Sequence, residues 1–328
     1  MISRRGFLIG LGSLGALVLV GACGDSVSPT SALRKRVKEG VYFNEVWNKP
    51  DPPSNVSLVV FEKKLGKRFD IIHYFFGWGS SFNHALNKNV PSRDLMISWN
   101  PGTHIQSIST GGQDAYIIQY ATEAKKYGHV VYLRFAAEMN GDWNQYSSAA
   151  KDGPSASEFT LAWTRIVDIF RKVGAHNVKF VWCINEDDVP NIDGNHAENY
   201  WPGAEWVDIL GIDGYNWGSQ GKGRGATSWR SFEQIFITPY IRITSRSPTL
   251  PIWICEFGTP EREVRDPKGV SKAQWFEDMF RSIRFPRLKA IVYFSADDLP
   301  LHRDFRIDSS PQAISGWRDG WLGESVTG

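Results

Sequence analysis

Short β-rich runs alternate with helical segments along most of the chain, and this alternation limits its possible folds more than any other feature. Parallel strands need long crossover connections, usually helices, so the alternation predicts a parallel sheet. Eight strands favour a closed (β/α)8 TIM barrel; the alternative is an open doubly wound sheet, which often carries a glycine-rich phosphate loop that this sequence lacks. The candidate strands are Gly40–Phe43, Asp70–Trp78, Asp94–Trp99, Val130–Glu138, Val178–Asn185, Val207–Tyr215, Pro251–Phe257 and Leu288–Ser295.

Helical periodicity separates several of these strands and is clearest over Ser155–Gly174. Apolar residues recur there at three- and four-residue steps, Ser155 and Glu158 match a capping box, and Gly174 is a typical helix-ending residue. Similar patterns predict helices over Gly112–Tyr127, Trp229–Arg246 and Lys272–Phe285.

The N-terminal 22 residues are expected to be a signal peptide. The run SRRGFL at residues 3–8 resembles the twin-arginine export motif, and the uncharged stretch that follows is too short for a comfortable permanent span. LVGAC at residues 19–23 resembles a bacterial lipobox, which predicts lipidation of Cys23; the alternative is ordinary cleavage that leaves a free thiol. We therefore expect an exported protein at the cell surface or in the periplasm, joined to the membrane only through that lipid.

Residues 23–39 carry Ser, Pro, Thr and a basic cluster without apolar periodicity, so they are expected to be a flexible tether. Residues 40–328 would then form one catalytic barrel, since α/β barrels often exceed 250 residues as a single domain.

Charge and aromatic content restrict the partners. Removing the signal peptide leaves 35 of the 37 basic residues, which match the 35 acidic residues, so the mature chain is formally neutral. Such a chain is a poor match for nucleic acid, and an uncharged polymer is the easier partner. The 14 Trp either stack on sugar rings or fill the core. We expect a monomer that binds polysaccharide.

Two glutamates close predicted strands, Glu138 in RFAAEMNG and Glu256 in PIWICEFG. The carboxyl ends of barrel strands carry catalytic groups, and a pair of carboxyls can cleave a glycosidic bond. The alternative is that each glutamate only pairs with an arginine or caps a loop. Strand alternation places Arg134 on the same inner face as Glu138, and Ile254 on the same face as Glu256.

Two cysteines remain in the predicted barrel, Cys183 on the fifth strand and Cys255 on the seventh. Alternation turns Cys255 outward if Glu256 faces in, whereas Cys183 faces in, so we predict two buried free thiols rather than a disulfide. The seven His show no ligand-like spacing, so neither a metal nor another cofactor is expected.

The chain resembles glycoside hydrolase family 26, the retaining β-mannanase family of the clan A barrels, over roughly residues 40 to 300. The resemblance lies in four ordered motifs: RFAAEMNG at 134–141 followed by Trp143, VWCIN at 181–185, VDILGIDGYNW at 207–217, and ICEFG at 254–258.

This resemblance implies that Glu138 is the general acid/base and Glu256 the nucleophile. Tyr215 matches the tyrosine that hydrogen-bonds the family's nucleophile. Trp143 is placed to form the floor of the sugar-binding site. The alternatives for these and the remaining candidates are core packing or the barrel's interior hydrogen-bond network. The remaining substrate-binding candidates are Asn140, Arg134, Asn185, Trp217, Tyr146 and Trp78.

Two positions depart from the family pattern. Ala137 replaces the histidine that usually precedes the acid/base, and Phe294 stands near where clan barrels commonly carry a tryptophan under the cleaved sugar. The primary hypothesis is a retaining hydrolase of a β-linked polysaccharide, with mannan implied by the family. The alternatives are the same mechanism on mixed-linkage glucan, xylan or an envelope polysaccharide, and a surface lipoprotein that binds glycan without cleaving it.

Overall fold

The computed structural model describes residues 32–46, 55–82, 93–218, 228–262, 269–298 and 303–323. The signal peptide, Cys23 and most of the expected tether lie outside these ranges. Among the described helices, none combines the length and the apolar character needed to cross a bilayer.

Eight parallel strands close into a barrel, and the predicted (β/α)8 TIM barrel is confirmed. The strands pair in chain order, and the first strand pairs with the eighth to close the ring. A short ninth strand, which the sequence did not predict, runs antiparallel to the end of the eighth. The strands are β1 Lys38–Val46, β2 Ile71–Gly77, β3 Asp94–Asn100, β4 Val131–Phe135, β5 Val178–Asn185, β6 Ile209–Tyr215, β7 Ile252–Gly258, β8 Leu288–Asp298 and β9 Arg303–Asp304.

The helices pack around the outside of this ring. The predicted helix after β4 has the expected ends: the Glu158 N–H donates to Ser155 Oγ at 3.2 Å, the Ser155 N–H donates to Glu158 Oε2 at 2.8 Å, and Gly174 adopts φ 80°. The helices are α1 Asn55–Leu65, α2 Ile105–Ser109, α3 Asp114–Tyr127, α4 Ala156–Val173, α5 Phe232–Thr244, α6 Lys272–Arg281 and α7 Pro311–Leu322.

The connection from β5 to β6, residues 186–208, contains short 3₁₀ helices instead of an α-helix. Its sequence is rich in Asp, Asn and Pro, which favour turns over continuous helix. The 3₁₀ helices are Asp193–Asn195, Ala197–Tyr200 and Ala204–Trp206.

Apolar side chains form two main cores. The larger core lies between the strands and the helices, and a smaller core fills the barrel interior with residues such as Met96, Val181, Trp253 and Val292. Much of the tryptophan content serves the larger core rather than sugar binding. The tryptophans that are almost fully excluded from solvent are Trp99, Trp163, Trp182, Trp275 and Trp317.

The barrel domain begins before residue 40, so the expected extent of the tether is wrong at its C-terminal end. Leu33 is fully buried and its N–H donates to Ser282 O at 2.9 Å. The Arg36 guanidinium donates to Phe285 O at 2.7 Å, and β1 already starts at Lys38. Buried Leu33 and Val37, together with these hydrogen bonds, fix the segment, and they produce no periodic pattern in the sequence.

Candidate active site

Glu138 reaches the barrel mouth, the opening at the carboxyl ends of the strands, through a local backbone turn. β4 ends at Phe135, not at Glu138 as predicted, because Ala136 and Glu138 adopt left-handed φ values of 47° and 56°. Ala136 therefore packs in the outer core and Ala137 in the interior, opposite to the alternation expected from the sequence. Each left-handed residue costs roughly 1–2 kcal/mol, and such strain concentrates at functional sites.

Hydrogen bonds hold the Glu138 turn in place. The Glu138 N–H donates to Cys183 O at 2.9 Å on β5, and the Gly141 N–H donates to Glu138 O at 3.0 Å. A Cβ on Gly141 would lie 2.3 Å from the Trp143 ring, so only glycine lets that indole fold back over the turn. The Trp143 Nε1–H then donates to Glu138 Oε2 at 2.9 Å, while 43% of Trp143 remains exposed at the mouth.

Glu256 faces the interior because of a β-bulge in β7. Ile212 pairs with Ile254, but the next residue of β6, Asp213, pairs with Glu256, so Cys255 is the extra residue. Ile254 packs in the outer core and Cys255 in the interior core. Both predictions made from regular alternation in β7 are therefore wrong: Ile254 does not share the face of Glu256, and Cys255 does not point outward.

Arg134 joins Glu256 to the interior of the barrel. Its guanidinium donates to Glu256 Oε1 through Nη2 and to both Asp213 carboxylate oxygens through Nη1 at 2.7 Å. Its Nε–H donates to Ser98 Oγ at 2.8 Å, and the Ser98 hydroxyl lies 2.6 Å from His73 Nε2. Burial, and next the charge of Arg134, lower the pKa of His73 well below its usual value, so the ring is neutral. Arg134 thus belongs to the interior hydrogen-bond network and also binds the candidate nucleophile.

Tyr215 occupies the other oxygen of Glu256. Its hydroxyl donates to Glu256 Oε2 at 2.9 Å. Burial, and next the negative charge of Glu256, raise the pKa of Tyr215 well above its usual value, so the phenol keeps its proton. Glu256 accepts hydrogen bonds on both oxygens, which is the role of an ionised carboxylate. This geometry matches the role that the family resemblance implied for Tyr215.

The two glutamates have different electrostatic environments. Burial, and next the charge of Glu256, raise the pKa of Glu138 to about 7, while the Trp143 hydrogen bond and Arg134 lower it. Glu256, in contrast, binds a cation and a phenol. Two carboxyls in different environments at one opening can act as a proton donor and an ionised nucleophile.

Three other predicted site residues form hydrogen bonds within the loops beside Glu138. Asn140 is fully buried, donates to Asn185 O and Asp187 O at 3.1 Å, and accepts from the Asn185 N–H at 2.9 Å. The Asn185 side chain donates to Asp187 O at 2.7 Å. Tyr146 is buried and its hydroxyl donates to Ala137 O at 2.6 Å. These side chains shape the loops beside Glu138, and their contact with substrate stays a prediction.

Two predicted tryptophans lie in different surroundings. Trp78 stacks on the buried Trp99 with ring centroids 4.5 Å apart and donates to Gln113 Oε1 at 2.9 Å, so its ring packs into the outer core. Trp217 lies at the mouth, 4.8 Å from the Tyr215 ring, with the Arg303 guanidinium 4.5 Å from its own ring centroid. Trp217 is thus the better placed of the two for contact with substrate.

An aromatic cluster beside Glu256 was largely missed. Phe294 on β8 stacks on Tyr42 of β1 with ring centroids 4.9 Å apart. Phe294 is the residue that stands near the position where clan barrels commonly carry a tryptophan. Alternation on β1 could have assigned Tyr42 to the interior face. The cluster comprises Tyr42, Tyr215, Phe294, Ala296 and Phe305, with Phe75 and Trp217 packed against it.

Glu186 and Arg230 form a second missed group, which holds the backbone of Tyr215. Arg230 donates to both Glu186 oxygens at 2.6 and 2.7 Å and to Tyr215 O at 2.8 Å. Burial raises the pKa of Glu186. These residues are 44 positions apart and neither lies in a recognisable motif, so only the fold could reveal the pair.

Three sequence comparisons show which known proteins this chain resembles. The sequence model described as Glycosyl hydrolase family 26 matches residues 115–226, which include Glu138 and Tyr215 but end before Glu256. Endoglucanase H of Acetivibrio thermocellus is 35% identical over 277 residues, covering 81% of this chain and 29% of that protein. Beta-1,3-xylanase TXYA of a Vibrio species is 22% identical over 264 residues, covering 73% of this chain and 49% of that protein. The chain thus spans about half or less of the length of these two relatives.

Solved structures support the fold. The catalytic domain of the Bacillus sp. JAMB-750 GH26 endo-beta-1,4-mannanase superposes with a TM-score of 0.61 at 15% identity, covering 92% of this chain and 94% of that one. A GH26 beta-mannanase from Bacteroides ovatus gives 0.57 at 15% identity, with the same coverage of 92% and 94%. The sequence matches confirm the resemblance to glycosyl hydrolase family 26 that the motifs implied, and the solved structures confirm the fold.

Proposed function

We propose that this protein hydrolyses a β-linked polysaccharide with retention of anomeric configuration. Glu256 attacks the anomeric carbon and forms a glycosyl ester, while Glu138 gives its proton to the departing glycosidic oxygen. Glu138 then takes a proton from water, the water oxygen bonds to the anomeric carbon, and the ester bond to Glu256 breaks. The observation that carries this proposal is the pair of unlike carboxyls: Glu138 with a pKa raised to about 7, and Glu256 bound by Arg134 and Tyr215.

The surroundings of each carboxyl fit its proposed role. A carboxyl with a pKa near 7 remains largely protonated in mildly acidic solution and can act as a general acid. Arg134 and Tyr215 orient Glu256 through separate oxygens, leaving nucleophilic lone pairs available on the same carboxylate. Trp143 lies next to Glu138 with an exposed face that a sugar ring can cover.

Azide rescue tests the two roles separately. Glu138→Ala should hydrolyse a substrate with a good leaving group to the ester stage, and azide should then release a glycosyl azide of retained configuration. Glu256→Ala with azide should give the inverted azide instead. Glu205→Ala, which removes an exposed glutamate and leaves both candidate carboxyls intact, serves as a matched control that needs no azide. Inverted product from both glutamate variants, or wild-type activity in either, would refute the assignment.

The substrate is proposed to be a β-glucan, with mannan as the second candidate. Endoglucanase H, by its name a glucan-cleaving enzyme, is 35% identical over 81% of this chain, whereas the solved mannanases are 15% identical. Ala137 also replaces the histidine expected beside the acid/base in the mannanase family. Release of reducing ends from mixed-linkage glucan, mannan and xylan by purified protein decides between them. Glycan binding without any product from the native protein would favour the non-catalytic alternative.

Export and lipid attachment complete the proposal. The twin-arginine and lipobox patterns support a lipid-tethered protein outside the cytoplasm, and the monomeric state stays a prediction. Labelled fatty acid should enter the wild-type chain and not Cys23→Ser, and the variant should move from the membrane to the soluble fraction. Equal labelling of both proteins would exclude lipidation at Cys23.

A further inference from the structure

The barrel interior holds two cysteines that the proposed mechanism does not use. Cys183 on β5 and Cys255 on β7 are free thiols with no exposed surface. Their sulfur atoms and a carboxylate oxygen of Asp213 all lie within 4.8 Å of one another. The Cys183 thiol donates to Asp213 Oδ1 at 3.1 Å. Two sulfurs and one oxygen from three consecutive strands therefore lie together, next to the pairing of Asp213 with the candidate nucleophile.

Two backbone features bring these groups together. The β7 bulge turns Cys255 inward. Gly211 lies on β6 between the two cysteines. A Cβ at this position would lie 2.8 Å from Cys183 Cβ and 2.9 Å from each of the two sulfurs, which is too close. Any side chain at position 211 would force the sulfurs apart. The cluster thus depends on a glycine and a bulge, and not on a sequence motif.

The donor set selects a class of ligand. Thiolate sulfur prefers soft or borderline cations of the zinc and cadmium type, and a carboxylate oxygen can complete such a site. Metal–sulfur bonds of about 2.3 Å place two sulfurs on one ion at most about 4.6 Å apart. Sulfurs that already lie within 4.8 Å of each other therefore need little movement to bind a single ion. A divalent cation that replaces two thiol protons leaves the buried charge unchanged, which avoids the cost of adding charge to the interior.

We propose that Cys183, Cys255 and Asp213 bind a thiophilic divalent cation inside the barrel. Because the sulfurs have no exposed surface, uptake requires local opening of the barrel and is slow. Burial raises the pKa of the Cys183 thiol, so binding must displace its proton and becomes tighter as pH rises.

The site would act on catalysis through Asp213, a consequence that rests on the proposed function. Asp213 binds Arg134 through both oxygens, and Arg134 binds Glu256. A cation bound to Asp213 competes with Arg134 for the carboxylate oxygens, and this changes how Arg134 orients Glu256. The ion is therefore expected to inhibit hydrolysis.

Cadmium binding to the full-length Cys23→Ser protein tests the site, since that background removes the remaining cysteine. Equilibrium dialysis should give one Cd²⁺ per chain, with ultraviolet thiolate-to-cadmium absorption. Cys183→Ala and Cys255→Ala, each with an unchanged circular dichroism spectrum, should lose that absorption and bind at least tenfold more weakly. His196→Ala is the matched control, because His196 belongs to the second group of potential ligands, with Asp188 and Glu198. It should bind Cd²⁺ like its parent.

Several results would overturn the site. The first is that the Cys23→Ser protein takes up no Cd²⁺, even slowly. The second is that Cys255→Ala binds Cd²⁺ as tightly as its parent. The third is that a thiol titration of the unfolded protein finds the two cysteines already oxidised to a disulfide. Inhibition is measured separately, as the loss of glycan hydrolysis relative to each protein's own cation-free rate, and Cys255→Ala should resist Cd²⁺. A protein without hydrolase activity would refute the proposed function, whereas dialysis would still decide whether the cation binds.

Discussion

Replacing Glu138 by glutamine should stabilise the fold in alkaline solution while it removes the proposed acid. The pKa of Glu138 is raised from 4.5 to about 7, mainly by burial and then by the charge of Glu256. The folded protein therefore holds the Glu138 proton more tightly than the unfolded chain. Below pH 4.5 the carboxyl is protonated in both states and affects stability little. Above pH 7 it is ionised in both states, and the buried charge then makes the folded state less stable.

The magnitude follows from the two pKa values. A tenfold difference in proton affinity corresponds to about 1.4 kcal/mol, so the difference between 4.5 and about 7 corresponds to about 3 kcal/mol. Glutamine has nearly the same shape, carries no charge, and can still accept from the Trp143 indole. The free energy of unfolding of Glu138→Gln should thus exceed that of the wild type by up to about 3 kcal/mol at pH 8, and by almost nothing at pH 4.

Urea denaturation at a series of pH values from 4 to 8 measures this difference. Glu205→Gln is the matched control, since Glu205 is exposed and the same change there should alter stability little at every pH. A constant offset between Glu138→Gln and wild type across the series, or a larger gain in acid than in alkali, would contradict the raised pKa. It would also remove the electrostatic basis for Glu138 as the acid.

Three further predictions concern the site and its support. Tyr215→Phe removes one hydrogen bond to a buried oxygen of the nucleophile, so kcat should fall about 10- to 100-fold and the free energy of unfolding by about 1–3 kcal/mol; an unaltered kcat would show that the phenol is not needed. Trp143→Phe removes a hydrogen bond that lowers the pKa of Glu138, so the alkaline limb of the pH–rate profile should move to higher pH, and a move to lower pH would contradict this contact. Gly211→Ala places a methyl group against two sulfurs and should destabilise the protein by about 1–3 kcal/mol in urea, whereas Gly194→Ala, which meets no atom within 4 Å, should not; equal losses would refute the packing argument.

The sequence predicted those features that depend on local chemistry. Short β-rich runs identified the eight strands because strand preference depends on the local side chains, and the Ser155–Glu158 pattern located a helix start because a capping box joins residues three positions apart. The ordered motifs around Glu138 and Glu256 indicated the resemblance to glycosyl hydrolase family 26 because each motif lies within one short segment. Free, buried thiols at Cys183 and Cys255 are also confirmed, although the alternation argument behind that prediction placed Cys255 on the wrong face.

Alternation failed where the backbone departs from a regular strand. The bulge that adds Cys255 to β7 and the left-handed turn at Glu138 arise from packing against neighbouring strands, which no single strand sequence encodes. Both departures lie at the candidate catalytic groups, where strained geometry is typically retained.

The chain by itself thus determined the barrel, its principal helices and the identity of the two candidate carboxyls. Only the tertiary structure decided the environment of each carboxyl: Arg134 and Tyr215 on Glu256, and burial beside a like charge for Glu138. The physical reason is that strand and helix preferences act between near neighbours, whereas desolvation and charge interactions depend on distances between side chains from separate strands. Those distances exist only after the barrel has closed.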